Sequence, residues 1–335
     1  MIWIQFLICA GLVVVVGSLL SRYADILAEK TGLGRSWVGG VLLAGATSLP
    51  ELTTGISAVT VVGDVNLAAG GIMGSCLFNL LLIALLDVAN GPYSLLRRVE
   101  ISHSLAAGLG AILLLVVVIG MYLAQTVGLP SLGWVGLPTL MIILLYFVTV
   151  RLISRYERRR VAEYLEQEAE VYHYDEIPLW RAGLIFALLS AAILGLGLWL
   201  AVLGDRIIAA TGLGASFVGA IFLAITTSLP EIVASFAALR IGAEDLAVSN
   251  IFGSNIFNIF ALGIYDLVYT RGDMWAQLAT IHAFAAVASA LMTALAIVSL
   301  VYRSSRRQPL HISWDAAGLL LIYVGSMYIV YRATV

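Results

Sequence analysis

Long apolar stretches recur along the chain, each near the length that a helix needs to cross a bilayer, about 20 residues. They fall at roughly 2–21, 37–62, 67–89, 102–124, 133–153, 180–203, 216–239, 247–269, 277–302 and 313–332. Short polar turns join most of them. The exception is a charged segment at residues 155–176, RYERRRVAEYLEQEAEVYHYDE, whose Arg and Glu residues recur at helical spacing. It reads as a solvated linker helix. The pattern predicts an all-α integral membrane protein with ten transmembrane helices: residues 1–153 hold spans one to five, 154–178 the linker, and 179–335 spans six to ten.

Composition agrees with the pattern. The chain is 61% hydrophobic and 11% charged, where soluble domains carry roughly 25% charged residues, and its mean hydropathy is +1.01. The net charge of -2 says nothing about partners, because the few charges cluster in loops. Nothing points to nucleic acid or to a protein partner; the expected partners are the bilayer and inorganic cations, with a monomer sufficient. Cys9 and Cys76 lie in apolar runs without zinc or redox spacing and read as packing residues. The first apolar run has no basic flank or clear cleavage site before Arg22, so it reads as a retained span. With the N-terminus outside, only Arg206, Arg271 and Arg332 of the 18 Lys and Arg residues face outward. This excess on one side orients the spans and places both termini on the periplasmic side of a cell (inner) membrane.

The chain also repeats itself. TGLGRSWVGGVLLAGATSLPE (31–51) aligns with TGLGASFVGAIFLAITTSLPE (211–231), with about 14 identities in 21. GDVNLAAGGIMGSCLFN (63–79) aligns with GAEDLAVSNIFGSNIFN (242–258). Each copy holds five spans, so the second enters the membrane from the opposite side. Two inverted five-helix repeats with interrupted helices are the pattern of secondary transporters that bind cargo near the midplane.

The interruptions carry the chemistry. Pro50 and Pro230 lack an N–H, which frees the carbonyls of Ala46 and Thr226 in the middle of apolar spans. Freed carbonyls at membrane depth are tolerated only where they are buried or line a cavity. Glu51 and Glu231 follow immediately, with Thr47 and Thr227 one turn earlier on the same face. An ionised Glu at the bilayer centre costs at least a few kcal/mol, and two of them repel. A divalent cation between them cancels both charges; emptied of it, the pair should take up protons or monovalent cations. That competition is what an antiporter requires. Spans three and eight add Ser75 with Asn79 and Ser254 with Asn258, each pair four residues apart on one helix face and suited to walling the same cavity. All are hard oxygen donors, the kind calcium takes in sets of 6–8 at about 2.3–2.6 Å.

The TSLPE and GSxxFN motifs at 47–51, 75–79, 227–231 and 254–258 resemble the two alpha-repeats of the cation/calcium exchanger superfamily, and the resemblance covers nearly the whole chain. It implies calcium export in exchange for sodium or protons by alternating access, with ions bound between spans two, three, seven and eight and spans one and six sliding across the rest. By that resemblance Glu51 and Glu231 are the central calcium ligands, and Thr47 and Thr227 donate carbonyls. Ser48, Ser75, Ser228, Ser254 and the carbonyls of Ala44 and Ala224 belong to flanking monovalent sites. No cofactor is implied; calcium and sodium or protons are the cargo.

Three departures stand out. Asn79 and Asn258 are both neutral, which leaves two carboxylates and keeps sodium and proton coupling open. Gly71 stands at the place of Asn250 and Cys76 at the place of Asn255, which loosens one side of the cavity. No large domain separates the halves, so calcium-sensing regulation of the animal exchangers is not expected. Asp87 aligns with Asp266, read as polar helix ends, and His103 with His282, read as interfacial hydrogen-bond formers. Exchange of manganese or magnesium is the alternative within transport. An intramembrane enzyme is the remote one, since the chain has no H-E-x-x-H or G-x-S-x-G.

Overall fold

The computed structural model describes residues 2–31, 44–90, 94–164, 177–240, 242, 244–303 and 312–334. The first part of span two and residues 165–176 of the linker lie outside these.

The described residues are almost entirely helical. Span one is Ile2–Thr31, span three Val65–Asn90, span four His103–Thr126 and span five Leu137–Tyr164. Span six is Leu179–Thr211, span eight Glu244–Val268, span nine Thr280–Tyr302 and span ten Trp314–Thr334. Each of these eight is long and apolar enough to cross a membrane. Span seven is broken: Ala215–Thr227 meets Leu229–Arg240 at a bend of 43°. The described part of span two has the same break, between Ala44–Thr47 and Leu49–Ser57, and then continues in a wide i→i+5 turn at Ala58–Val62. The described residues thus supply all or part of each of the ten expected spans.

Several helix ends differ from the hydropathy reading. Span five starts at Leu137 rather than 133, because Ser131–Leu132 (β1) and Val135–Gly136 (β2) close a small antiparallel hairpin pairing Ser131 with Gly136 and Leu132 with Val135. Pro138 then sits in the first turn of the helix, where its missing N–H costs nothing. The helix runs on to Tyr164, into the segment expected to be linker. Spans one and six likewise run past 21 and 203 to Thr31 and Thr211. Charged residues end the apolar run but not the helix.

Spans three and eight are the most buried and form the centre; spans one and six pair with each other on the outside and bury far less. The close approach of span three to span seven depends on missing side chains. A Cβ on Gly70 would stand 2.6 Å from the Ser216 carbonyl oxygen, and one on Gly74 would stand 2.4 Å from that of Ala220. Small residues at such seams let backbones meet where no hydrophobic effect drives helices together.

The helix ends are pinned symmetrically. Asp87 Oδ1 accepts from the Leu95 N–H at 2.6 Å and its Oδ2 from the Ser313 N–H at 3.3 Å. Asp266 Oδ2 accepts from the Gly136 N–H at 2.9 Å and from the Thr139 hydroxyl at 2.5 Å. His103 Nε2 lies 2.8 Å from Asp245 Oδ1, and His282 Nε2 lies 3.1 Å from Asn66 Oδ1. Asn66 and Asp245 are themselves matched in the repeat, so the two histidines make one contact twice.

The seam yields a direct test. Gly74→Leu should cost about 3 kcal/mol or more, because backbone and not a movable side chain blocks the new atoms. Gly108→Leu, where a Cβ meets nothing within 4 Å, should be neutral. Thermal midpoints and monodispersity of the two purified variants check this; equal behaviour would mean that the seam is not a close contact.

Candidate functional site

The two breaks have nearly the same backbone geometry. Ser48 has φ -90° and ψ 8°, and Ser228 has φ -83° and ψ 5°, both in the sparsely populated bridge region. Pro50 and Pro230 explain this, since neither supplies the N–H that would continue the ladder. Each break leaves a helix C-terminus facing a helix N-terminus. Glu51 and Glu231 lie in the first turns of the second segments, where the helix dipole favours negative charge. The carbonyl ends of Ala44–Thr47 and Ala224–Thr227 favour positive charge.

A serine at a helix start ordinarily caps its own helix. Ser48 does not. Its hydroxyl donates across the pseudo-two-fold to Glu231 Oε1 at 2.9 Å, and the Ser228 hydroxyl donates to Glu51 Oε1 at 2.9 Å. Each half thus holds the other's carboxylate. Ser75 reaches Glu51 Oε1 at 3.4 Å and Ser254 reaches Glu231 Oε1 at 3.3 Å, completing the symmetry from spans three and eight. Ser228 and Ser75 are 3.1 Å apart, and Thr47 and Ser254 are 3.4 Å apart.

The other expected residues fall in the same place. The carbonyl of Ala44 accepts from the Ser48 N–H and the Thr47 hydroxyl at 3.1 Å each. That of Ala224 accepts from the Ser228 N–H at 3.0 Å, Thr227 at 3.3 Å and Ser75 at 3.5 Å. Both carbonyls expected to serve cations therefore also hold the breaks together. Asn79 Nδ2 donates to Asn255 Oδ1 at 3.1 Å. Asn258 is fully buried, with neither amide atom partnered. The second oxygens, Glu51 Oε2 and Glu231 Oε2, are buried and unpartnered as well. In a low-dielectric interior such atoms are costly unless something pairs with them.

The chemistry of this donor set is narrow. Among the described residues no group of three or more His, Cys, Asp and Glu comes together. What converges is two carboxylates among neutral hydroxyls, amides and carbonyls. These are hard oxygen donors, suited to calcium, sodium or protons and poorly to soft metals.

Tyr265 was not legible as a site residue, and Asn250 and Asn255 were legible only as the counterparts of Gly71 and Cys76 in the cavity wall. Tyr265 is fully buried, and its hydroxyl donates to the Glu51 carbonyl at 2.7 Å. Gly55 makes room for it, since a Cβ there would lie 2.0 Å from the phenol ring. The first repeat has Leu86 at the place of Tyr265, so the mismatch in an otherwise matched pair was the available signal. Asn250 Oδ1 lies 3.4 Å from the Thr47 hydroxyl, and Asn255 contacts Asn79. A small cavity, with about 10 Å³ of room for a water-sized particle, touches Glu51, Thr54, Gly71, Thr227 and Tyr265. It lies on the side where Gly71 replaces the asparagine of the other repeat.

The sodium/calcium exchanger protein family matches residues 1–154 and 181–332. The chain belongs to that family. This exchanger is 32% identical over 279 residues to the inner membrane protein YrbG of Escherichia coli, covering 80% of each chain. Its fold is similar to that of an H+/Ca2+ exchanger, CAX, with a TM-score of 0.68 over 99% of this chain and 85% of that one, at 15% identity. It is also similar to the sodium-calcium exchanger NCX_Mj, with a TM-score of 0.58 over 98% and 99% of the chains, at 18% identity. It is a multi-pass membrane protein of a family that exchanges cations.

The crossed serines predict matched effects. Ser48→Ala and Ser228→Ala should each weaken calcium binding about tenfold, the scale for losing a hydrogen bond to a charged group. The two losses should agree within about twofold, given the equal distances. Calcium-dependent thermal stabilisation of the purified variants measures both; one silent and one severe variant would contradict the symmetry.

Proposed function

We propose that this exchanger is an alternating-access antiporter that exports calcium in exchange for a monovalent cation bound at the same carboxylates. The carrying observation is the exchange of serine hydroxyls between the halves, Ser48 to Glu231 and Ser228 to Glu51. It brings the acid of each helix break into a single buried cluster, with one oxygen of each left unpartnered. A calcium ion there neutralises both charges and finds hydroxyl, amide and carbonyl oxygens around it. Thr47, Thr227, Ser48, Ser228, Ser75, Ser254, Asn79, Asn258 and the carbonyls of Ala44 and Ala224 are the surrounding donors in this reading. Magnesium holds its water tightly and demands octahedral geometry, so a site of this dryness suits calcium better.

The coupling ion follows from charge. With Asn79 and Asn258 neutral, two carboxylates are the charged ligands. Two monovalent ions balance them as one calcium does, whereas three sodium ions leave the site near +1 and make exchange sensitive to membrane potential. Sodium is the first reading; the two-acid site supports protons as the second. The arginine and lysine distribution supports both termini outside, and the relative YrbG, an inner membrane protein, supports the cell (inner) membrane.

Glu51→Gln and Glu231→Gln should each abolish calcium uptake into proteoliposomes while leaving the protein monodisperse. Full transport in both would remove the site. Calcium flux under a sodium gradient alone and a proton gradient alone identifies the partner ion. A flux driven by neither would overturn antiport with these ions.

A further inference from the structure

The amides around the carboxylates are not equivalent in the two halves, and the asymmetry has a fixed polarity. The Asn255 side chain donates from Nδ2 to the backbone carbonyl of Cys76 at 3.2 Å. A backbone carbonyl can only accept, so the Asn255 amide has one permitted orientation. Its Oδ1 must then face Asn79. An oxygen there accepts only, so Asn79 must present Nδ2, at 3.1 Å. Asn79 Oδ1 is left over, buried and unpartnered, one helical turn from the Ser75 that reaches Glu51. Span eight thus sets which end of the Asn79 amide stays free.

The other half lacks the device. Asn258 matches Asn79 in the repeat, and Cys76 stands where Asn255 would stand. The Cys76 thiol lies beside the Asn258 amide, but a thiol donates and accepts only weakly and so does not fix which end of the amide faces it; neither Oδ1 nor Nδ2 of Asn258 makes a full hydrogen bond. We propose that Asn255 is a positioning residue: it locks the Asn79 amide with its oxygen presented to the transported cation, while Cys76 leaves the Asn258 amide free to turn over. The inference rests on the cation-binding reading of Glu51 and Glu231. It divides the walls of that site into a permanent oxygen donor on span three and a reversible one on span eight. An amide that can turn over offers oxygen to a bound cation and N–H to an emptied carboxylate.

The test uses a background in which orientation does not matter. Asn255→Cys, which copies the first repeat, should raise the KM for calcium about tenfold with kcat within about twofold. In an Asn79→Asp background the same substitution should change KM by less than about twofold, because a carboxylate presents oxygen whichever way it turns. Cys76→Asn should lower KM by locking Asn258. Calcium-dependent thermal stabilisation of each purified variant gives the same comparison where transport is too slow to measure. An equal rise in KM in both backgrounds would reduce Asn255 to a packing role, and no rise in either would remove it from the site. Glu51→Gln is run in parallel. Calcium binding lost there but unchanged in Asn255→Cys sinks the positioning role alone; binding retained in Glu51→Gln sinks the site itself.

Discussion

Two carboxylates in one buried, water-poor cluster set the terms for everything around them. Each is expensive to ionise at membrane depth, and each makes the other more so. The protein answers with fixed donors: four serine hydroxyls on the two Oε1 atoms, and helix N-termini behind both acids. The two Oε2 atoms remain unpartnered. In the proposed antiporter, carboxylates held on one oxygen and open on the other take a mobile positive charge without binding it permanently. On the proposed reading, release of one cation is coupled to capture of another, because the empty state is the costly one.

The fold supplies that cluster from a repeated break. A proline removes one backbone donor, the chain takes a bridge-region turn at serine, and the next helix starts with glutamate at its positive end. Because the halves are inverted, the two breaks meet and each serine finds the other half's acid. Spans three and eight hold the centre, and glycines at positions 70 and 74 let span three lie against the backbone of span seven. Spans one and six bury little; they pair with each other, and span six also packs heavily on span two. At the points where they touch the broken spans the fit is again glycine-based, Gly17 on Pro230 and Gly197 on Thr53. These two glycines are matched in the repeat and contact positions about one turn apart.

Much of this was legible in the sequence, for a physical reason. Apolar length fixes span number in a bilayer, and a proline beside a glutamate is too costly in such a span to occur twice without use. Glu51, Glu231 and the residues sharing their motifs were therefore readable as a group. What the sequence did not carry was partnership across the halves. Nothing in TSLPE says that Ser48 serves Glu231 rather than its own helix. Tyr265 was hidden because a buried phenol is ordinary until its Gly55 counterpart is seen. The helix ends at Leu137 and Tyr164 were missed because hydropathy tracks where a helix leaves the apolar layer, not where its hydrogen bonds stop.

The most direct measurement is the anomalous scattering of a strontium ion soaked into crystals of the protein, strontium standing in for calcium. A single strong peak within coordination distance of both Glu51 and Glu231 carboxylates is the predicted result, with Ser or Asn oxygens completing the shell. A peak bound elsewhere, with the two carboxylates unaltered and still joined only to their serines, would contradict the account.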